Sequence, residues 1–452
     1  MPTEHVVFLS VPGLRPGDIT TTQTPTLHGW ARRGGLAELV PTFPCVTSPV
    51  QATMLTGTPP ADHGVIANGF FDRDRRDVAF WVARHDVVAG EPLWDAARRR
   101  RDCVSAVWHA QNIKGAGADY IVTPAPIHNP DGTTQPWCYA KPDGLYAELV
   151  GDLGHFPLHH YWGPLASIES TRWILQAAVW LAGRRRPHVQ WVYVPHLDYA
   201  AQKFGPDSAQ AADALVALDA LLGDFADGIA RAAAGADVAY LVAGEYAMTN
   251  VTGAVYPNRM LRDAGLLRVT QRDGAEYLDL VRSTAFAMVD HQFAHVYVSP
   301  PSREHIARTC DAFRGAAGVA TVLARGGGPG GEADRTAVGL DHERSGDVIL
   351  IADDDRWFAY YWWLDDAAAP PFARTVDIHN KPGYDPVELF FDDATKGIPL
   401  DASLVKGAHG VPATDPRHRT ALVASMPVAG VSDGGTYRDT DVKRMVLDLL
   451  GA

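Results

Sequence analysis

Four mainly apolar runs along the chain predict strands that are buried on both faces of a parallel sheet. The first run, HVVFLSV, is closed by Pro12-Gly13, and the predicted strands cover His5–Val11, Cys103–His109, Val189–Val194 and Val238–Ala243. Helical patterns separate them, over Ser48–Thr56, Ser167–Leu181 and Ala209–Ala233. Strands that alternate with helices predict an α/β fold with a mainly parallel sheet and helices on both faces.

The pattern changes after about Val255. Short strand candidates, including Ala285–Val289, His295–Val298 and Trp357–Trp363, surround one predicted helix at Arg303–Phe313. We therefore predict an inserted α+β subdomain at residues 256–375. The α/β core is predicted to comprise residues 1–255 and 376–452.

The acidic net charge of the chain bears on which kinds of molecule it binds. The formal net charge is −13, which disfavours nucleic acid and anionic membranes as partners. A phosphate-bearing substrate would need a local positive feature. The four cysteines are widely spaced, which does not suggest a disulfide framework. The chain enters its first apolar run without a basic leader. The longest uncharged helical run has about half the length that spans a bilayer. We expect a cytoplasmic protein, and its oligomeric state stays open.

Three separated segments carry a family resemblance. They are Pro12–Pro16 with Pro41–Pro49, extended by His63–Val65 and Asn68; Pro195–Pro206; and Glu245–Met248 with Lys406–Gly410. In this order they resemble the alkaline phosphatase superfamily, in particular its nucleotide pyrophosphatase/phosphodiesterase and phosphonoacetate hydrolase branch. The resemblance implies the same α/β fold.

The resemblance also implies a chemistry. Members of this family hold two zinc ions that clamp a phosphoryl group while a threonine or serine hydroxyl attacks phosphorus. Thr47 falls at the nucleophile position, next to a predicted helix start. Asp198 and His409 fall at metal-ligand positions.

Most other ligand positions depart from the family pattern. Pro12 replaces a zinc-binding aspartate, Gln202 replaces a ligand histidine, and Glu245-Tyr246 stand where the family has an Asp-His pair. Val50 and Gln51 also replace residues of the phosphodiesterase branch. These losses predict that no metal is bound, and one zinc ion held through Asp198 and His409 is the alternative.

The polar replacements suggest a repurposed, metal-independent enzyme for acid–base or transfer chemistry on a small molecule, possibly in specialised metabolism. Glu245 and His409 are candidate general bases, and Tyr246 is a candidate proton donor. Thr47 completes the set of candidate catalytic residues. One alternative is a phosphodiester or phosphonate hydrolase with a single zinc ion and Thr47 as nucleophile. The other is a binding protein without catalysis.

Four residues are expected to contact the small-molecule substrate: Asp198, Gln202, His379 and Lys381. Gln202 is suited to polarising a carbonyl group, and Lys381 is a cation able to hold an anionic group. His379 and Lys381 share one loop with Asp377, and a solvated turn is the competing interpretation of that loop. Asp290–Gln292 and His295 are interpreted as structural hydrogen-bonding residues.

Overall fold

The computed structural model describes residues 3–128 and 134–452. Met1 and Pro2, where the leader prediction begins, lie outside them. The largest element is a nine-stranded sheet, whose strands in chain order are β1 (His5–Val11), β2 (Gly35–Val40), β3 (Ser105–Trp108), β4 (Tyr120–Pro124), β5 (Cys138–Lys141), β6 (Val189–Tyr193), β7 (Val238–Gly244), β8 (Thr420–Ala424) and β9 (Thr436–Arg438). Their spatial order is β9-β2-β8-β7-β1-β6-β3-β4-β5.

Strand direction determines where the site lies. Only β5 and β8 of this sheet run against the other strands. β1 lies between β6 and β7, with Ser10 beside Tyr193 and Val11 beside Gly244. The carboxyl ends of β1, β6 and β7 therefore meet at one edge of the sheet, which is where ligands bind in open α/β sheets.

Helices cover both faces of the sheet. They are α1 (Pro25–Gly34), α2 (Thr47–Thr56), α3 (Pro60–His63), α4 (Leu93–Arg101), α5 (Leu145–Leu153), α6 (Ile168–Arg185), α7 (His196–Phe204), α8 (Ala209–Ala232), α9 (Pro257–Asp263), α10 (Arg303–Phe313) and α11 (Val442–Leu450). One apolar core lies under α1, α5, α6 and α8, and a second lies under α2, α4 and α11. The mainly parallel α/β fold predicted from the sequence is confirmed.

A second, antiparallel sheet has four strands. Their spatial order is Ala285–Asp290, Phe293–Val298, Val348–Ala352 and Val319–Ala324. Two-stranded ribbons join Gly69–Asp72 to Asp77–Phe80, Ile127–His128 to Thr134–Gln135, Thr249–Asn250 to Gly407–Ala408, Gly253–Val255 to Arg356–Phe358, and Val269–Arg272 to Ala275–Leu278. The second sheet shares its apolar core with Phe43, Val46 and Phe71 from the N-terminal part of the chain. The boundaries at 256 and 375 stay a prediction.

Several predicted elements have different bounds in the structure. The strand predicted over Trp357–Trp363 is formed only at Arg356–Phe358, and the aromatic residues after it are buried outside regular structure. Aromatic residues are common in strands, and here they are buried without forming one. The apolar pattern therefore predicted too long a strand. Helix α2 begins at Thr47 rather than Ser48.

Two further sequence expectations concern cysteines and membranes. All four cysteines are buried free thiols. Across residues 3–128 and 134–452, we find no helix that is both long and apolar enough to cross a membrane.

Gly244 at the end of β7 provides a test of packing at this edge. A Cβ added there would lie 2.5 Å from the carbonyl oxygen of Leu14 and 2.6 Å from Cβ of Thr420. We expect Gly244→Ala to lower the free energy of unfolding by about 1–3 kcal/mol, as overpacking does. Urea unfolding measures the change.

The matched control is Gly253→Ala, in a ribbon strand, where an added Cβ meets no described atom within 4 Å. Equal unfolding midpoints for the Gly244 and Gly253 variants would contradict the close approach at Gly244.

Candidate active site

The loops after three central strands bring the predicted site residues together. Pro12 follows β1, and Glu245-Tyr246 follow β7. After β6 the chain enters α7, where Asp198 and Gln202 are four residues apart and therefore share one helix face. Thr47 is the first residue of α2. The side chains of Thr47, Asp198, Gln202, Glu245, Tyr246 and His409 are all at least 93% buried, the most exposed being Asp198 at 7%.

A chain of hydrogen bonds links most of these groups. The Tyr246 hydroxyl lies 3.3 Å from Thr47 Oγ1 and donates to Asp198 Oδ1 at 3.1 Å. Gln202 Nε2 donates to Asp198 Oδ2 at 2.7 Å, and the Tyr384 hydroxyl donates to Gln202 Oε1 at 2.9 Å. Both oxygens of Asp198 therefore already have donors. Burial raises the pKa of Asp198 to about 7, despite these donors.

Glu245 occupies the neighbouring part of the site. Its Oε1 accepts hydrogen bonds from the Ser10 hydroxyl and from Gln51 Nε2. Gln51 is itself held because its Oε1 accepts from the backbone N–H of Gln111 at 2.7 Å. Burial raises the pKa of Glu245 to about 8, so the carboxyl group keeps its proton at neutral pH.

His409 lies in a stack of four rings. Its ring is parallel to that of Tyr246, with centroids 3.5 Å apart, and 3.8 Å from that of His291, which in turn lies 3.6 Å from Tyr384. Burial holds the pKa of His409 well below its usual range. Its Nδ1 is 2.8 Å from the carbonyl oxygen of Cys45, which can only accept a hydrogen bond. The imidazole is therefore neutral, with its proton on Nδ1 and a lone pair on Nε2.

Two polar atoms in this region lack partners. Within the described ranges, neither Glu245 Oε2 nor His409 Nε2 has a hydrogen bond, although both atoms are buried. Because Glu245 Oε1 accepts two hydrogen bonds, we place the proton of the neutral carboxyl on Oε2. The site thus presents one free donor and one free acceptor, and buried groups of this kind normally have partners.

A third buried carboxyl group connects the site to the second sheet. Asp290 accepts hydrogen bonds from the backbone N–H and the side-chain amide of Asn68 and lies 2.7 Å from Nδ1 of His291. Asn68 Oδ1 accepts from the backbone N–H of Ser48, in the first turn of α2. Burial raises the pKa of Asp290 to about 7. We call Thr47, Asp198, Gln202, Glu245, Tyr246, Asp290, His291, Tyr384 and His409 the buried cluster.

Lys381 and His379 differ from their predicted role. The Lys381 ammonium lies 2.7 Å from Asp385 and 2.8 Å from Glu388, and all three side chains are buried. It is not available as a cation for an anionic substrate, so that prediction is wrong. His379 is exposed and its Nδ1 lies 3.3 Å from the carbonyl oxygen of Phe80, outside the buried cluster. The sequence did not show that two carboxylates neutralise Lys381.

The donors in the buried cluster do not suit a zinc pair. Zinc sites in proteins use at least three ligands drawn from thiolate, imidazole and carboxylate groups. Proline, glutamine and tyrosine stand at three of the family's positions, and both oxygens of Asp198 already accept hydrogen bonds. Over the part of the chain that the structure describes, no three His, Cys, Asp or Glu side chains are grouped to hold a metal ion.

A sequence profile for type I phosphodiesterase / nucleotide pyrophosphatase matches residues 6–385. The chain belongs to this family. The predicted resemblance is confirmed. An uncharacterized pyrophosphatase/phosphodiesterase of Schizosaccharomyces pombe is 25% identical over 241 residues, which make up 50% of this chain and 41% of the yeast protein. The chain thus matches less than half the length of that relative.

Solved structures of other proteins share the fold. The phosphonoacetate hydrolase of Sinorhizobium meliloti, in complex with phosphonoformate, superimposes with a TM-score of 0.63 at 16% identity, over 99% of this chain and 96% of that one. Murine ectonucleotide pyrophosphatase / phosphodiesterase 5 gives a TM-score of 0.62 at 15% identity, over 99% and 95% of the two chains. These similarities establish the fold alone.

Sequence reasoning missed several contacts of this phosphodiesterase-family site. Ser10 lies inside a fully buried strand and gave no polar signal of its own. Gln51 was noted only as a departure from the family, whereas it orders Glu245. Asp290 and His291 were interpreted as structural together with Gln292 and His295, but the ring of His291 lies 3.8 Å from that of His409, tilted by 40°. Gln292 and His295 do bond to backbone carbonyls, as expected.

The raised pKa of Glu245 predicts how stability depends on pH. Glu245 keeps its proton in the folded protein from its ordinary pKa of 4.5 up to about 8, where the unfolded chain has lost it. The free energy of unfolding therefore falls as pH rises through this window. The glutamine of Glu245→Gln cannot ionise. Between pH 5 and pH 8, we therefore expect the free energy of unfolding of this variant to fall by about 2–4 kcal/mol less than that of the wild type.

Urea unfolding at pH 5, 6, 7 and 8 measures this difference. Glu4→Gln serves as the control because Glu4 is exposed. Parallel pH profiles for all three proteins would show that Glu245 is ionised in the folded state.

Proposed function

We propose that the chain is a metal-independent enzyme that performs acid–base or group-transfer chemistry on a small molecule at the buried cluster. The observation that carries this proposal is the pair of unpartnered atoms, Glu245 Oε2 and His409 Nε2. One is a proton donor and the other a proton acceptor, and both stand at positions where the family binds metal.

The two residues take opposite roles in this proposal. His409 is the general base, because the Cys45 carbonyl holds the proton on Nδ1 and leaves the lone pair on Nε2. Glu245 is the general acid, because its carboxyl group is neutral, whereas the sequence suggested a base. General acid–base catalysis of this kind contributes about 10²–10⁴-fold to a rate.

Other cluster residues position the reacting groups. Tyr246 lies between Thr47 and Asp198, with its hydroxyl donating to Asp198 and within hydrogen-bond distance of the Thr47 hydroxyl. Gln202 is fixed by Asp198 and by Tyr384. Hydrogen bonds thus order this site, as metal ions would in a phosphodiesterase. We propose no bound cofactor, and the donor chemistry of the cluster supports this.

The surroundings of the enzyme are also part of the proposal. We propose a small molecule as its partner, rather than nucleic acid or a membrane, and the net charge of −13 supports this. A cytoplasmic location is supported by the four buried, unpaired cysteines. The repurposing of the family's cleft explains why polar groups, with the exception of Pro12, replace the ligands.

Catalysis can be tested without a known substrate. Purified protein, treated with EDTA, is incubated with a small-molecule extract of the cells that produce it, and mass spectrometry follows metabolites that disappear. We expect at least one conversion to persist in EDTA and to slow by about 10²-fold or more in Glu245→Gln and in His409→Phe. The phenylalanine keeps a ring in the stack.

Glu4→Gln is the control and is expected to leave the rate unchanged. A conversion that EDTA abolishes and zinc restores would instead support the hydrolase with a single zinc ion. Binding of a metabolite without conversion would support the non-catalytic protein. Either result would overturn the proposal.

A further inference from the structure

A cavity of about 610 Å³ is lined by the loops after β1 and β7 and by the segment that leads into β8. None of the nine residues of the buried cluster, all within the described ranges, lines it. Its size falls within the range of about 300–1,000 Å³ that small-molecule sites have, but such sites usually have mainly apolar walls. Here three arginine and four aspartate side chains line the walls. We call it the charged cavity, because its walls discriminate mainly by charge.

Most of these charged groups are already paired with one another. Arg15 Nη1 donates to Asp207 at 2.8 Å, and its Nη2 donates to Asp18 at 3.1 Å. Arg417 Nη2 donates to Asp354 at 3.0 Å. Each carboxylate oxygen of these three aspartates has a nitrogen atom within 3.1 Å. These groups therefore form the frame of the cavity and have little capacity left for a ligand.

Arg419 and Asp355 do have capacity left. Arg419 Nη1 donates to Glu38 Oε2 at 2.6 Å, whereas among the described residues its buried Nε has no partner and its Nη2 has no acceptor. Nε and Nη2 form one edge of the guanidinium plane, and a carboxylate accepts two parallel hydrogen bonds from such an edge. Asp355 accepts from Thr252 and Arg356 through Oδ2, so its Oδ1 is left for a further donor.

These two groups together favour a ligand that carries charges of both signs. A carboxylate at Arg419 alone would add negative charge to walls in which aspartates already outnumber arginines. An ammonium group at Asp355 alone would leave the free edge of Arg419 unfilled. The two side chains are 26% and 53% exposed, and an exposed ion pair contributes only about 0–1 kcal/mol. A ligand that pairs with both groups is therefore held better than one that pairs with either.

The size of the charged cavity indicates how large this ligand is. A sphere of 610 Å³ would be about 10 Å across, and three extended residues span about 10 Å at about 3.3–3.6 Å each. A tripeptide with free ends has an ammonium group at one end and a carboxylate at the other. Such a peptide can present both charges across the cavity.

We propose that the charged cavity is a second ligand site, which binds short peptides with free ends. The terminal carboxylate pairs with Arg419, and the terminal ammonium group pairs with Asp355. This site goes beyond the proposed function and does not depend on it, because it uses no residue of the buried cluster.

Four forms of one peptide test the proposal. They are triglycine, N-acetyl-triglycine without the ammonium group, triglycinamide without the carboxylate, and N-acetyl-triglycinamide without either. Isothermal titration calorimetry of the full-length protein measures each dissociation constant at pH 6.5, where both peptide ends are charged, and at low ionic strength, where screening is weak. We expect triglycine to bind at least about tenfold more tightly than either singly blocked form.

Two substitutions assign the ends of the peptide. In Arg419→Gln, triglycine and triglycinamide are expected to bind within about twofold of each other, because the partner of the carboxylate is gone. In Asp355→Asn, the same is expected of triglycine and N-acetyl-triglycine. Arg231→Gln, at an exposed position of α8, is the control and should retain both differences. Because each readout is a ratio within one variant, a loss of stability does not imitate it.

Equal binding of the four peptides, or no measurable binding of triglycine, would overturn the proposal. Selectivity that either Arg419→Gln or Asp355→Asn leaves intact would also overturn it. A failure here is separate from a failure of the proposed function, which is tested by conversion of a metabolite in variants of Glu245 and His409.

Discussion

Three carboxyl groups are buried in the site with no cation beside them among the described residues, and the rest of the site is arranged around this constraint. A buried carboxylate without a partner is so unfavourable that the group takes up a proton instead. Burial accordingly raises the pKa values of Asp198, Glu245 and Asp290 to between about 7 and about 8. In relatives with paired zinc, the metal charge would serve this purpose.

The replaced residues follow from the same constraint. Pro12 removes a carboxylate, and Gln202 and Tyr246 replace imidazoles by groups that donate hydrogen bonds to Asp198. His409 and His291 stay neutral within a ring stack. The parallel strands supply the geometry, because β1, β6 and β7 end side by side. Under the proposed function, protons and hydrogen bonds take the place of metal charge at that edge.

Local sequence patterns predicted the fold and some of the residues of the site. The run His5–Val11 and the alternation of strands and helices were sufficient for the α/β sheet, and the four-residue spacing of Asp198 and Gln202 placed them on one helix face. Contacts between distant segments were not predictable. His291 comes from the second sheet, and Lys381 meets Glu388 only through the folding of its loop, although its spacing from Asp385 was a signal. Glu245 was identified, but its protonation depends on burial that the sequence does not give.

The central claim is that this member of the phosphodiesterase family has exchanged metal charge for protons. Elemental analysis tests it most directly, on protein that is incubated with excess zinc at pH 7, dialysed and then measured alongside Asp198→Asn and His409→Phe. The account predicts no stoichiometric zinc in the wild type and no difference among the three proteins. Stoichiometric zinc in the wild type that both substitutions remove would contradict it.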